Sequence, residues 1–268
     1  MPTHEQLKEI ERDLSFVPAP DAPQTLTPSQ VQAYNSQGYL KPFRLFDAGE
    51  ADDFRAYIDG LLTDLQAEGG DSYSLISAHM KHGRIWDLLH RDEILAPVRD
   101  LLGPDLVCWG AHCFCKMPRD GKRVAWHQDA SYWPLTPSRT VSVWLAVDDV
   151  DTENACMRFI EGSHRRGHIP FRPSAATENN VLNQTVDGAE AFGPAVDVEL
   201  GAGEFSMHSD LLLHGSEAND SPRRRCGLTL RYAAAGVRAE MGWDSEGVVV
   251  CGRDEQGLWA DPPRPAVA

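Results

Sequence analysis

Val141-Ser142-Val143-Trp144-Leu145-Ala146-Val147 holds no glycine, proline or charged residue, and β-branched and aromatic side chains fill most of its length. Such a run reads as a β-strand. Glu204 to Leu213 and Cys226 to Tyr232 share its character, and from Leu106 onward short apolar runs alternate with Gly, Pro, Asp and Asn. The first hundred residues differ. Thr27-Pro28 supplies an N-cap with proline at the first helical position, opening a short helix that ends near Gly38. Asp47 followed by Glu50 forms a capping box, after which Phe54, Tyr57, Ile58, Leu61 and Leu65 recur at helical spacing. A third helix is expected from about Asp92 to Leu102, stopped by Gly103-Pro104. Helices first and strands afterwards predict a mainly β protein with N-terminal α-helices packed on an antiparallel sandwich or barrel.

At 268 residues the chain is read as a single domain spanning 1–268. Residues 1–25 form a polar arm, 26–105 a helical support and 106–235 the β core. The polar stretch from Arg172 to about Asp197 is expected to be a mobile loop. No apolar run is long enough for a membrane helix, and the polar, acidic start resembles no signal peptide, so a cytoplasmic location is expected. A formal charge of −15 argues against nucleic acid and anionic membranes as partners, and it leaves a small-molecule substrate open. Oligomeric state is not readable. Cys108, Cys113, Cys115, Cys156, Cys226 and Cys251 show no paired framework and are expected to be reduced, buried thiols.

Chemistry concentrates in Trp126-His127-Gln128-Asp129. On a strand, residues i and i+2 share a face, so His127 and Asp129 reach one point while Gln128 turns away. An imidazole and a carboxylate meeting there make two thirds of a facial metal site. For the third ligand the residues alone leave several candidates: His214 after Leu211-Leu-Leu, His208 with the same parity, and His82, His90, His112, His164 and His168 by type. Arg225 and Arg231, on one strand with one parity, are equal candidates for binding a carboxylate.

Four motifs in order resolve these choices. Lys116-Met-Pro118, Trp126-His-Gln-Asp129 with Tyr132-Trp133, Trp144-Leu-Ala-Val-Asp-Asp149 with Glu153-Asn154 and Gly162-Ser163-His164-Arg165, and His214-Gly-Ser216 with Asn219, Ser221 and Arg225 resemble the phytanoyl-CoA dioxygenase family. These are iron(II)/2-oxoglutarate-dependent oxygenases. The resemblance implies a double-stranded β-helix, or jelly roll, with His127, Asp129 and His214 as metal ligands and catalytic centre. It implies Fe(II), 2-oxoglutarate and O2 as cofactor and cosubstrates. Arg225 and Ser216 would bind the far carboxylate of 2-oxoglutarate, with Trp144 as a wall and Lys116 as a looser match. One departure is visible: Asn154-Ala155 stands where the family often has Asn-Gly.

The implied activity is hydroxylation of an unactivated C–H in a small molecule, with 2-oxoglutarate converted to succinate and CO2. The carboxylate at Asp129 argues for hydroxylation over halogenation, since related halogenases carry glycine or alanine there. Tyr132, Trp133, Trp109, His112 and Arg123 are expected at the substrate pocket. Substrates of relatives suggest zwitterions, amino-acid-like, ectoine-like or trimethylammonio-phosphonate compounds, and an aromatic cluster could hold a quaternary ammonium. The alternatives are a tailoring oxygenase of secondary metabolism (hydroxylation, desaturation or cyclisation), a cupin-like metalloenzyme without 2-oxoglutarate, and a non-catalytic binding protein.

Overall fold

Alternation along the strands decides how this chain stacks. In Thr140–Ala146, Glu204–Ser209 and Arg225–Ala234 the apolar Val141, Val143, Leu145, Phe205, Met207, Cys226, Leu228 and Leu230 alternate with Ser142, Trp144, Ser206, His208, Arg225, Thr229 and Arg231. Such a sheet has one face for a hydrophobic core and one for chemistry. The computed structural model describes residues 2–266; Met1, Val267 and Ala268, within the expected 1–268 bounds, lie outside the described residues.

The main strands are β1 (Tyr39–Arg44), β2 (Leu106–Lys116), β3 (Val124–His127), β4 (Thr140–Ala146), β5 (Met157–Ile160), β6 (Ala195–Val198), β7 (Glu204–Ser209), β8 (His214–Ser216), β9 (Arg225–Ala234) and β10 (Val248–Cys251). A six-stranded sheet runs β1-β7-β4-β9-β2-β10, and a four-stranded sheet runs β3-β8-β5-β6. All the ladders are antiparallel, and the two sheets enclose the site as a jelly roll. The major sheet gains β10 beyond residue 235.

The helices are α1 (His4–Lys8), α2 (Pro28–Gln37), α3 (Ala48–Ala67), α4 (Gly83–Leu89) and α5 (Asp92–Leu102). Thr27 Oγ1 accepts from Gln30 N at 3.2 Å, and Asp47 Oδ1 accepts from Glu50 N at 2.9 Å, so both expected caps form. Gly38 ends α2 at φ +91°. Phe54, Ile58, Leu62, Ile94 and Val98 share one core with Val143, Leu145, Leu228, Leu230 and Met207 from the outer face of the major sheet. Helix α4 was not expected; it is short and lacks a side-chain cap. No helix of the described residues is long and apolar enough to cross a membrane.

Two expectations need correction. The strand expected over Glu204 to Leu213 ends at Ser209, and Leu211, Leu212 and Leu213 are apolar because they form a fully buried turn. The stretch expected to be a mobile loop carries two short paired strands and is laced by Arg172, which meets Glu178 at 2.8 Å and Asp187 at 2.7 Å. The polar arm, for its part, is strapped to the barrel. Arg12 Nη1 donates to the carbonyls of Ala130 and Trp133, both at 2.9 Å, and Asp13 N donates to Thr136 Oγ1 at 2.9 Å.

Candidate active site

Strand β3 stops at His127, but Gln128 stays extended at φ −109°, ψ 133°, so Asp129 keeps the parity of His127 although it opens a 3-10 turn. Gln128 turns away and is fully satisfied. Its Nε2 donates to the carbonyls of Gly167 (2.9 Å) and Leu211 (2.6 Å), and its Oε1 accepts from Ile169 N (2.7 Å). This buried amide pins the backbone between the two site residues.

His214 opens β8 instead of closing a strand, and it pairs with His127 across the ladder. His127 Nε2 lies 3.7 Å and His214 Nε2 3.8 Å from Asp129 Oδ1. One ligand atom from each residue lies within 4.8 Å of the others. His127 Nδ1 faces Ala125 O at 2.9 Å, and His214 Nδ1 faces Leu212 O at 3.0 Å. A carbonyl only accepts, so the proton is assigned to Nδ1 and each Nε2 presents a lone pair to the common point. Ser142 Oγ donates to Asp129 Oδ2 at 2.8 Å, which leaves Oδ1 for that point. Burial, helped by His127, pushes His214 well below its ordinary range and keeps the ring neutral. Burial would raise Asp129, but His214, His127 and Arg231 outweigh it and hold the carboxyl far below the usual range. Two imidazoles turned to one point and a carboxylate fit a divalent metal with open positions.

The other end of the pocket is cationic. Arg225 is 2% exposed, its guanidinium carbon lies 4.8 Å from the Trp144 ring centre, and its Nε has no hydrogen-bond partner. Lys116 is its cross-strand neighbour and is fully buried, with Nζ donating to the carbonyls of Ser216 and Glu217. Burial, then Arg225, pushes the Lys116 ammonium down to about 7. Two buried cations side by side are costly without an anion between them, so the pair fits an incoming carboxylate. Gly227, between Arg225 and Thr229 on the same face, makes room for the wall: a Cβ there would stand 1.9 Å from Trp144 Cζ2.

Of the residues expected at the substrate pocket, His112, Tyr132 and Trp133 line it. Trp109 stands one cavity further out, in edge contact with Trp133 at 4.6 Å. Arg123 is not in the pocket; its guanidinium pairs with Glu178 at 3.2 Å on the outer side, because it precedes β3 and meets the 172–197 segment first. His208 does reach the site, 3.9 Å from Asp129 Oδ2, with both ring nitrogens unpartnered and burial pushing it down to about 4. His164 instead packs on Phe16, and His90 bonds Trp86 O. Ser142 and Thr229 were missed, though both share parity with a residue that was singled out: Ser142 with Trp144, and Thr229 with Arg225.

A jelly roll that closes on a His-x-Asp and distal His cluster, with a buried arginine at the far end, defines a class of non-haem oxygenases. The chain matches the family described as phytanoyl-CoA dioxygenase (PhyH) over residues 34–227, and it belongs to that family of iron(II)/2-oxoglutarate-dependent oxygenases. It is 25% identical over 254 residues to a probable alpha-ketoglutarate-dependent hypophosphite dioxygenase of Stutzerimonas stutzeri, covering 84% of this chain and 86% of that protein. It is 27% identical over 148 residues to the peroxisomal phytanoyl-CoA dioxygenase of Bos taurus, spanning 53% of this chain and only 44% of that protein. The solved apo structure of ThoJ, a non-heme monooxygenase, superimposes with a TM-score of 0.74 at 29% identity, over 88% of each chain.

Proposed function

We propose that this protein hydroxylates an unactivated C–H bond of a small, polar molecule, with His127, Asp129 and His214 as the iron ligands. The observation that carries the 2-oxoglutarate reading is Arg225, buried against the metal pocket with no carboxylate paired to it among the described residues, and with Lys116 as its cross-strand neighbour. Arg225 would take the far carboxylate with Ser216 and Lys116 beside it, and Trp144 would close the side of that subsite. Bound Fe(II), 2-oxoglutarate and O2 supply the oxidising power, and 2-oxoglutarate leaves as succinate and CO2. Around that centre, Ser142 fixes the Asp129 carboxylate, the carbonyls of Ala125 and Leu212 fix the imidazoles, and Tyr132 packs edge-on against His127 at 5.8 Å. Leu182 and Met157 add apolar side chains to the pocket wall.

The carboxylate at Asp129 supports hydroxylation, since it fills the position that halide would need. A zwitterionic metabolite remains the substrate class that the aromatic surroundings favour. The described residues are taken as one such domain. The test is succinate formation with Fe(II), ascorbate and O2 across a substrate panel. Turnover that survives a strong chelator would sink the metal assignment.

A further inference from the structure

A second cavity of about 490 Å³ adjoins the metal pocket, and His112, Trp133 and Arg231 face both. Its walls are indoles: Trp109 meets Trp133 edge-on at 4.6 Å and Trp243 at 5.6 Å. The Arg231 guanidinium carbon lies 5.5 Å from the ring centres of both Trp109 and Trp133, so the planar group rests against both indoles. Its Nε is buried with no hydrogen-bond partner. Arg231 and Arg225 share a face of β9 but stand six residues apart, roughly 20 Å along an antiparallel strand. A carboxylate held by Arg225 therefore does not reach Arg231.

The charges of the loaded site leave Arg231 over. On the reading proposed above, the two positive charges of the metal and the one on Arg225 are offset by Asp129 and the two carboxylates of 2-oxoglutarate, while Lys116, pushed down to about 7 by burial, donates to the carbonyls of Ser216 and Glu217. Arg231 feels Asp129, whose carboxylate the metal would take, and among the described residues it has no ion-pair partner of its own. Across the outer cavity Glu246 is held by Ser77 Oγ at 2.5 Å, and its carboxylate disfavours a second anionic group at that rim.

We propose that Arg231 is the receptor for a single oxyanionic group, carboxylate or phosphonate, on the primary substrate, whose body rests against Trp109, Trp133 and Trp243. This inference rests on the oxygenase reading for its charge balance, and its test separates the two. Tryptophan fluorescence of the full-length protein loaded with Fe(II) and 2-oxoglutarate without O2 is titrated with 3-phenylpropionate, 2-phenylethylphosphonate and the neutral 3-phenylpropanamide. Charge-transfer absorption of the Fe(II)–2-oxoglutarate chelate is recorded on the same samples.

The expected result is that one or both anions bind at least tenfold more tightly than the amide, with the preferred anion naming the group. Arg231→Gln should level the three when compared on samples loaded to the same chelate absorption as the wild type, and Arg231→Lys should keep part of the preference. Equal binding of anions and amide by the wild-type protein, or a preference that survives in Arg231→Gln, overturns the receptor. If Arg231→Gln does not fold, the wild-type comparison and Arg231→Lys decide alone. A wild-type protein without the chelate band fails the oxygenase reading instead.

Discussion

Arg225 and Arg231 project from the same face of β9 at opposite ends of one continuous pocket, the first against Trp144 and the second against Trp109 and Trp133. Strand parity cannot rank the two arginines; only the resemblance in the closing motif favours Arg225. The packing does rank them, since Lys116 and Ser216 gather only around Arg225.

Arg225→Ala should therefore raise the KM for 2-oxoglutarate by about 30-fold or more, the usual cost of removing one partner of a buried charge pair. Arg231→Ala should change that KM only a few-fold. Steady-state kinetics on succinate release checks the order, and the reverse ranking would move the cosubstrate to the other end of the pocket.

Asp129→Ala should abolish succinate formation and Fe(II) binding while the protein still melts cooperatively. The ladder between His127 and His214 and the satisfied amide of Gln128 do not depend on that carboxylate. Metal titration and a thermal melt read the two effects separately, and iron bound at wild-type affinity would refute the ligand role.

Lys116→Met should stabilise the fold and weaken 2-oxoglutarate binding. Burial lowers the folded-state pKa of Lys116 to about 7 against an ordinary 10.5. The unfolded chain thus binds the extra proton between those values, and the wild type gains stability as pH rises through that window. The penalty is full below pH 7, so the advantage of Lys116→Met, about 1–4 kcal/mol, is largest there and fades toward pH 10. Melts across that range test it, and an advantage that grows with pH contradicts the assignment.

Ala155 adopts φ +64°, a left-handed conformation costing an L-residue roughly 1–2 kcal/mol. Ala155→Gly should stabilise the protein by about 1 kcal/mol after glycine's extra unfolded-state entropy, or about 2–4 °C. An unchanged melting temperature would mean that the turn has other support.

Local rules carried much of this structure. Thr27, Asp47 and Gly103 mark helix ends through their own chemistry, and the parity of His127 and Asp129 survives because Gln128 stays extended. Long-range packing was harder to read. Leu211 to Leu213 look like strand because burial, not extension, makes them apolar. Arg123 looked like a pocket residue until the 172–197 segment, with Glu178, folded beside it. His208, Ser142 and Thr229 enter the site only because three strands align in one register, which no single window of sequence displays.

The strap of residues 12–13 has a practical corollary for anyone handling this protein. Its anchors, Ala130, Trp133 and Thr136, belong to the turn that directly follows Asp129, so the beginning of the chain is wired to the catalytic centre. Purification tags or truncations at that end would act on turnover as well as on yield.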